Sequence, residues 1–331
     1  MKSFLDKYNT VIFDMDGVIT SEQNYWNCAA LTVRETLGTQ GKLDPAAMTE
    51  NVKAIRSAVF ADDRLISELK SRGVNSNWDL GYITVIIAQI LGTEDSSAML
   101  EFAESLSANI LDEYDRLAAE AAEKTGKPES YYIRNGELWT AMRDCFQEWF
   151  LGDELFELQY GRKPHTPGKP GLVYGEMPII PMDDLKLLLE ELSRTKRLCV
   201  GTGRPALEMR KPLEQWGVID RFAENGLCNY DHVMEAEAET GEHLTKPHPY
   251  MFLKALYGID YDNGKLLRGE YEKNQIEKTL IVGDAGADIL AAHEMGADFC
   301  AVLTGVQGKA ARGFFEELGA EYILDSAAEL L

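Results

Sequence analysis

VIFDMDGVIT, residues 11–20, is the stretch on which the reading of this chain turns. Val11, Ile12 and Phe13 lead into Asp14, and Gly17 follows Asp16. A short apolar run closed by turn residues reads as a strand buried on both faces, the kind found in parallel sheets. Open α/β sheets bind ligands outside the carboxyl ends of their strands, where Asp14 and Asp16 would lie. Successive strand residues alternate in direction, so two such carboxylates share a site only if the chain turns at Gly17. A plain Asp-Gly turn is the simpler alternative. An EF-hand loop is excluded, because Val18, Ile19 and Tyr25 stand where that loop needs oxygen ligands and a glycine.

A second acidic pair repeats the pattern. TLIVGDAGAD, residues 279–288, is an apolar run followed by Asp284 and Asp288. Their four-residue spacing lets both face one way at a strand-to-helix turn. Few, hard oxygen ligands suit Mg²⁺; the competing account, a carboxylate favoured at a helix start, explains Asp288 but not Asp284. CVGTGRP, residues 199–205, places Thr202 and Gly203 after another apolar strand, where a hydroxyl and backbone N–H groups can hold an anion. Gly201, Gly203 and Ala206 also fit a dinucleotide fingerprint, with Asp220 downstream, provided Asp220 ends a second strand. Lys246, in KPHP, sits on a loop stiffened by Pro247 and Pro249; it could bridge a nucleophile and a phosphate, or simply be exposed. His243 and His248 lack partner ligands at metal spacing.

Working outward, residues 21–151 carry apolar residues at helical spacing, as in AALTVRETL, WDLGYITVIIAQIL and ELWTAMRDCFQEWF. Residues 160–181 are rich in glycine and proline and read as a linker or hinge. Strand and helix then alternate: helix 182–194, strand 197–203, helix 205–217, helix 249–258, strand 279–284, helix 287–297, strand 301–305, helix 309–320 and strand 322–324, with 261–278 a polar surface excursion. Alternation predicts parallel βαβ units. The expected architecture is α/β: a Rossmann-like parallel sheet core flanked by helices, from residues 1–19 and 176–331, with a mostly α-helical cap, 20–175, inserted after the first strand.

The 331 residues are 45% hydrophobic and carry a formal net charge of −22. A surface so acidic repels nucleic acid and anionic membrane, so neither is an expected partner. It also repels phosphorylated compounds, so a phosphate site would need local positive charge or a metal. Five scattered cysteines without a C-x-x-C pair fit free thiols in a reducing cytoplasm. No apolar stretch is long enough for a membrane span, and the amino terminus lacks a signal-peptide pattern.

Taken together, DMDGV at 14–18, Thr202, Lys246 and GDAGAD at 283–288 resemble, in order and strand context, the signatures of the haloacid dehalogenase-like (HAD) superfamily, in its phosphatase branch. The resemblance implies Asp14 as nucleophile, Asp16 as acid/base, Thr202 and Gly203 on a phosphoryl oxygen, and Lys246 on both Asp14 and the phosphate. It implies Mg²⁺ held by Asp14, Asp284, the main-chain carbonyl of Asp16, and Asp288. An acidic residue at 16 sets the chain apart from dehalogenases and phosphonate-cleaving members, leaving phosphatase, with phosphomutase as the alternative and an NAD-binding oxidoreductase as a more distant one. The insertion point implies a cap of the phosphoglycolate phosphatase and β-phosphoglucomutase kind, here enlarged by about residues 127–175. The substrate expected is a small phosphorylated metabolite. Arg204, Arg56, Arg64 and Arg72 are residues that would meet a substrate anion or serve as helix charges; Asn77 is a helix cap, and Tyr25 and Trp26 line an entrance or pack the hinge.

Overall fold

The computed structural model describes residues 2–38, 43–74 and 76–331. The chain divides into two compact units, Met1–Glu22 with Glu176–Leu331, and Gln23–Gly175.

The first unit is built on a parallel sheet of six strands: β1 (Thr10–Phe13), β2 (Arg197–Gly201), β3 (Leu227–Cys228), β4 (Thr279–Gly283), β5 (Asp298–Val302) and β6 (Tyr322–Leu324). Their order is β3-β2-β1-β4-β5-β6, so the first strand of the chain lies in the middle. Phe13 pairs with Val200 on one side and Val282 on the other. All four residues of β1 are buried because both sheet faces are covered. Side chains alternate between two cores: Val11, Phe13, Val200 and Val282 join one, while Ile12, Cys199 and Ile281 join the other. This is why the strands read as continuous apolar runs rather than alternating ones. The α/β reading is therefore correct.

Several local expectations shift. The strand expected at 301–305 is β5, which begins at Asp298 because Leu280 pairs with it. β3 and the helix Tyr230–Thr240 were not foreseen; β3 has only two residues, too short for a periodic signal. The segment 261–278 is mostly exposed, yet Leu266 and Ile276 anchor it in a core.

The second unit is helical. Asn77–Leu91 is apolar nearly all round and buries Leu80, Tyr82, Ile83, Val85, Ile86 and Ile87, as a helix surrounded by others must. Its N-cap is Ser76, whose side chain accepts from Trp78 N, not Asn77, which is its first residue. The helices Gln23–Leu37 and Glu137–Tyr160 pack on it and on each other. Tyr25 stacks on Phe150 (centroids 4.6 Å apart), so it is a packing residue of this unit.

Residues 162–171, expected as a linker, are tied down by a buried polar cluster. Lys169 Nζ pairs with Glu148 Oε2 (2.7 Å) and Glu35 Oε2 (2.9 Å) and lies 4.9 Å from the centroid of Trp149. Glu148 accepts from the backbone of His165 and Thr166, and Glu35 from Trp149 Nε1 and Thr166 Oγ1. Each buried charge thus has a partner and further hydrogen bonds, which burial of an ion pair requires. At Gly152 the long helix kinks (φ 72°, ψ 174°), and a Cβ there would meet the backbone N of Gly171 at 2.8 Å. Only glycine adopts that region without strain. Gly152→Ala is expected to destabilise the helical unit by about 1–3 kcal/mol, read as a lower denaturant midpoint for the transition that reports on its tryptophans.

Candidate active site

The sheet order brings the motif residues together. β1 and β4 are neighbours, so Asp14, one residue past β1, and Asp284, one past β4, emerge side by side; Asp14 N donates to Val282 O at 2.9 Å. The helix Gly286–Met295 starts at once and carries Asp288 in its first turn. Asp14, Asp284 and Asp288 offer carboxylate oxygens that all lie within 4.8 Å of one another. Lys246 Nζ sits between two of them, 2.8 Å from Asp14 Oδ1 and 2.8 Å from Asp288 Oδ1. Its ammonium also lies 4.7 Å from the centroid of the Phe252 ring. Lys246 is thus half-buried between two carboxylates, not a freely exposed lysine.

Gly17 makes the turn that lets this happen. Its φ is 71°, in the left-handed region, and a Cβ on it would collide with the Asp284 carboxylate. A Cβ on Gly305 would collide with the same carboxylate.

Burial without enough positive charge dominates the electrostatics. Desolvation pushes Asp14 up to about 7 against the pull of Lys246, with Asp288 and Asp16 adding repulsion. Asp284 is held well above the usual carboxylate range, first by burial and then by Asp288 and Asp14. Among the described residues the Asp284 carboxylate has no hydrogen-bond or ion-pair partner. For Lys246, burial would lower its affinity for a proton, but Asp14 and Asp288 more than offset this and raise it. Three carboxylates face one ammonium, and one carboxylate is orphaned. Hard oxygen donors with surplus negative charge fit a divalent cation such as Mg²⁺.

Asp16 lies apart from these three oxygens. Its Oδ1 accepts from Arg204 Nη2 (2.6 Å), Arg204 Nε (3.0 Å) and Thr20 Oγ1 (3.2 Å). Its side chain is not in the acidic cluster; only its main-chain carbonyl remains as the expected ligand. Arg204 is 1% exposed and also binds Glu176 Oε2 at 3.1 Å. It lies just before the helix Ala206–Gln215 rather than on it, with two carboxylates on its guanidinium. Thr202 is buried, its Oγ1 accepting from Arg204 N at 3.2 Å, which leaves its hydroxyl hydrogen to donate. Its own N–H is spent on Cys228 O. Gly203 is exposed, and nothing lies within 4 Å of the position a Cβ would take, so another molecule can come close to its backbone.

Arg56 and Arg72 of the helical unit are each paired with a carboxylate. Arg56 forms a two-point pair with Asp63 (2.8 and 2.6 Å) and lies 4.8 Å from the ring centroid of Trp26. Arg64 donates to Ala61 O, and Arg72 pairs with Glu68 and binds the carbonyls of Glu104 and Ser107. Arg64 itself is exposed. The dinucleotide reading fails on its own condition: Asp220 lies in a single 3₁₀ turn, Ile219–Arg221, not at a strand end. Glu176 was missed by sequence reading. A lone glutamate beside a glycine-proline segment carries no signal until Arg204 is known to reach it.

Residues 243–330 match the family model described as HAD-hydrolase-like. The matched segment holds Lys246, Asp284 and Asp288, while Asp14, Asp16 and Thr202 lie outside it and join it through the sheet. Among solved structures, an X-ray structure from the Northeast Structural Genomics Consortium is 29% identical, with a TM-score of 0.82, and covers 97% of this chain and 97% of its own. A putative haloacid dehalogenase-like hydrolase from Bacteroides fragilis is 14% identical, with a TM-score of 0.48 over 98% of this chain and 100% of its own. The putative HAD-hydrolase YfnB from Bacillus subtilis, solved bound to magnesium, is 16% identical, with a TM-score of 0.45 over 98% and 96%. No curated protein matches the chain. Among the described residues no helix is long and apolar enough to cross a membrane.

A carboxylate whose folded pKa is raised destabilises the fold once it must ionise. Between about pH 4 and 7 the unfolded chain has released the Asp14 proton while the folded chain retains it. The metal-free protein should therefore lose stability as pH rises through that window, by at most about 1.4 kcal/mol per unit for one group. Asp284→Asn removes a second such group and should raise the melting temperature in chelator, by more at neutral than at acid pH; differential scanning calorimetry of the two proteins checks this.

Proposed function

We propose that this protein is a Mg²⁺-dependent phosphohydrolase of a small phosphorylated metabolite, a phosphomonoester, working through an aspartyl-phosphate on Asp14. The observation that carries this reading is Lys246 held 2.8 Å from both Asp14 and Asp288 inside a desolvated acidic cluster at the carboxyl edge of β1 and β4. Such a cluster has little use in stability alone and much use in phosphoryl transfer, where charge must be neutralised around a fixed nucleophile.

In this reading an oxygen of Asp14 attacks phosphorus while the bond from phosphorus to the substrate oxygen breaks. Asp16 gives the departing oxygen its proton. Thr202 donates its free hydroxyl hydrogen to a phosphoryl oxygen, and Lys246 balances charge on Asp14 and the phosphoryl group. Asp16, now a base, takes a proton from water, which attacks the same phosphorus and releases inorganic phosphate and the Asp14 carboxylate. Asp14, Asp284 and Asp288 would hold Mg²⁺, which supplies charge neutralisation for the phosphoryl oxygens. A phosphomutase would share the first half of this sequence but pass the phosphoryl group to a second hydroxyl. Release of inorganic phosphate separates the two.

A screen of phosphorylated sugars, nucleotides and short organic acids, read by phosphate release, should give turnover that chelator abolishes and Mg²⁺ restores. Asp14→Asn should lower that turnover by about a thousandfold or more with the fold intact; retained activity would refute the nucleophile. Mg²⁺ affinity should also weaken below about pH 7, by up to about tenfold per unit, because the cation must displace the Asp14 proton. Calorimetric titration on either side of neutrality measures it, and a pH-independent affinity would remove Asp14 from the ligand set.

A further inference from the structure

Behind Asp16 lies a buried ionic chain that the phosphohydrolase reading does not use. Arg204 is 1% exposed, and its guanidinium spans two carboxylates: Asp16 through Nε and Nη2, and Glu176 through Nη1 at 3.1 Å. Nη1 also donates to Glu208 O at 3.3 Å. The Glu176 side chain is fully buried, and its Oε1 has no hydrogen-bond partner among the described residues. Leaving a buried carboxyl oxygen unpaired is destabilising. The backbone around Glu176 is itself fixed. Ser21 N donates to Met177 O and Ile179 N to Ile19 O, both at 2.9 Å, so the chain leaving β1 and the chain returning to the sheet unit pair beside the site.

The distribution of donors on Asp16 is uneven. Oδ1 accepts from Arg204 Nη2 at 2.6 Å, Arg204 Nε at 3.0 Å and Thr20 Oγ1 at 3.2 Å, whereas Oδ2 accepts from Arg204 Nε at 3.2 Å. An oxygen with three donors aimed at it has no place for a proton of its own. A protonated Asp16 can keep its Oδ1 contacts only if the hydrogen is on Oδ2.

We propose that Arg204, Glu176 and Thr20 are positioning residues that pin Oδ1 of Asp16 and so designate Oδ2 as the oxygen that passes a proton to the departing alcohol. Glu176 acts through Arg204: it fixes the guanidinium from behind and takes part of its charge, so Asp16 is oriented without being locked in a full ion pair. In the step concerned, the bond from Asp14 to phosphorus forms, the bond from phosphorus to the leaving oxygen breaks, and the Oδ2 proton moves to that oxygen.

This inference rests on the phosphohydrolase reading, and leaving-group dependence separates the two. Acid catalysis matters little for 4-nitrophenyl phosphate, whose leaving group needs no proton, and much for phenyl and 4-methoxyphenyl phosphate. Arg204→Lys, which cannot span both carboxylates, is expected to lower kcat/KM for the poor leaving groups by about a hundredfold, a typical share for general acid catalysis. For 4-nitrophenyl phosphate it should lower kcat/KM several-fold at most, giving a steeper dependence on leaving group. Glu176→Gln and Thr20→Val should steepen the dependence in the same sense by smaller factors, and they carry the test if Arg204→Lys fails to fold. Equal losses across the series, or no loss, would overturn the positioning role while leaving the phosphohydrolase reading intact. Absence of phosphate release by the unaltered protein, or survival of activity in Asp14→Asn, would overturn both.

Discussion

Carboxylates crowded into a desolvated space around a single ammonium set the terms for the rest of the sheet unit. Asp14, Asp284 and Asp288 repel one another, and burial denies them the water that would screen the repulsion. Lys246 answers for part of that charge by sitting between Asp14 and Asp288. The orphaned Asp284 is the part left over. Natural proteins keep such an arrangement where a bound cation or a reacting group makes use of it, since mutation to neutral residues would stabilise the empty fold.

The sheet supplies the rigidity this crowding demands. β1 is central and hydrogen-bonded on both sides, so Asp14 cannot retreat from Asp284 without breaking a ladder. Gly17 and Gly305 leave just enough room for the Asp284 side chain. Asp16, only two residues from Asp14, is drawn into a separate network by Arg204 and Thr20. Two aspartates almost adjacent in sequence thereby acquire different neighbours. One meets an ammonium and carboxylates, the other a guanidinium, and this separation is what allows distinct chemical roles.

A polar network also organises the helical unit, by a different logic. Lys169 is fully buried, yet both its carboxylate partners are hydrogen-bonded again to backbone or to Trp149 and Thr166. Removing one partner would strand a charge, so the network fixes the path of residues 162–171 more firmly than their composition suggests. The contrast with Asp284 is instructive. One site is saturated and structural; the other is left incomplete.

How much was legible beforehand follows from the physics of each signal. The central strands were readable because burial on both faces forces continuous apolar runs, and the acidic pairs stood out because carboxylates right after such runs are placed at a sheet edge. The alternation of strand and helix fixed the α/β class, and with it the likelihood that remote motifs share one edge was already contained in the chain. What tertiary structure alone decided concerns long-range electrostatics and short elements. β3 is two residues long, below any periodic signal. The pairing of Arg204 with Asp16 and Glu176, and of Lys169 with Glu35 and Glu148, depends on the distance and burial between residues far apart in sequence, which composition and spacing do not encode. Local pattern reports which surface a residue turns inward; only the folded chain reports which charge it meets there.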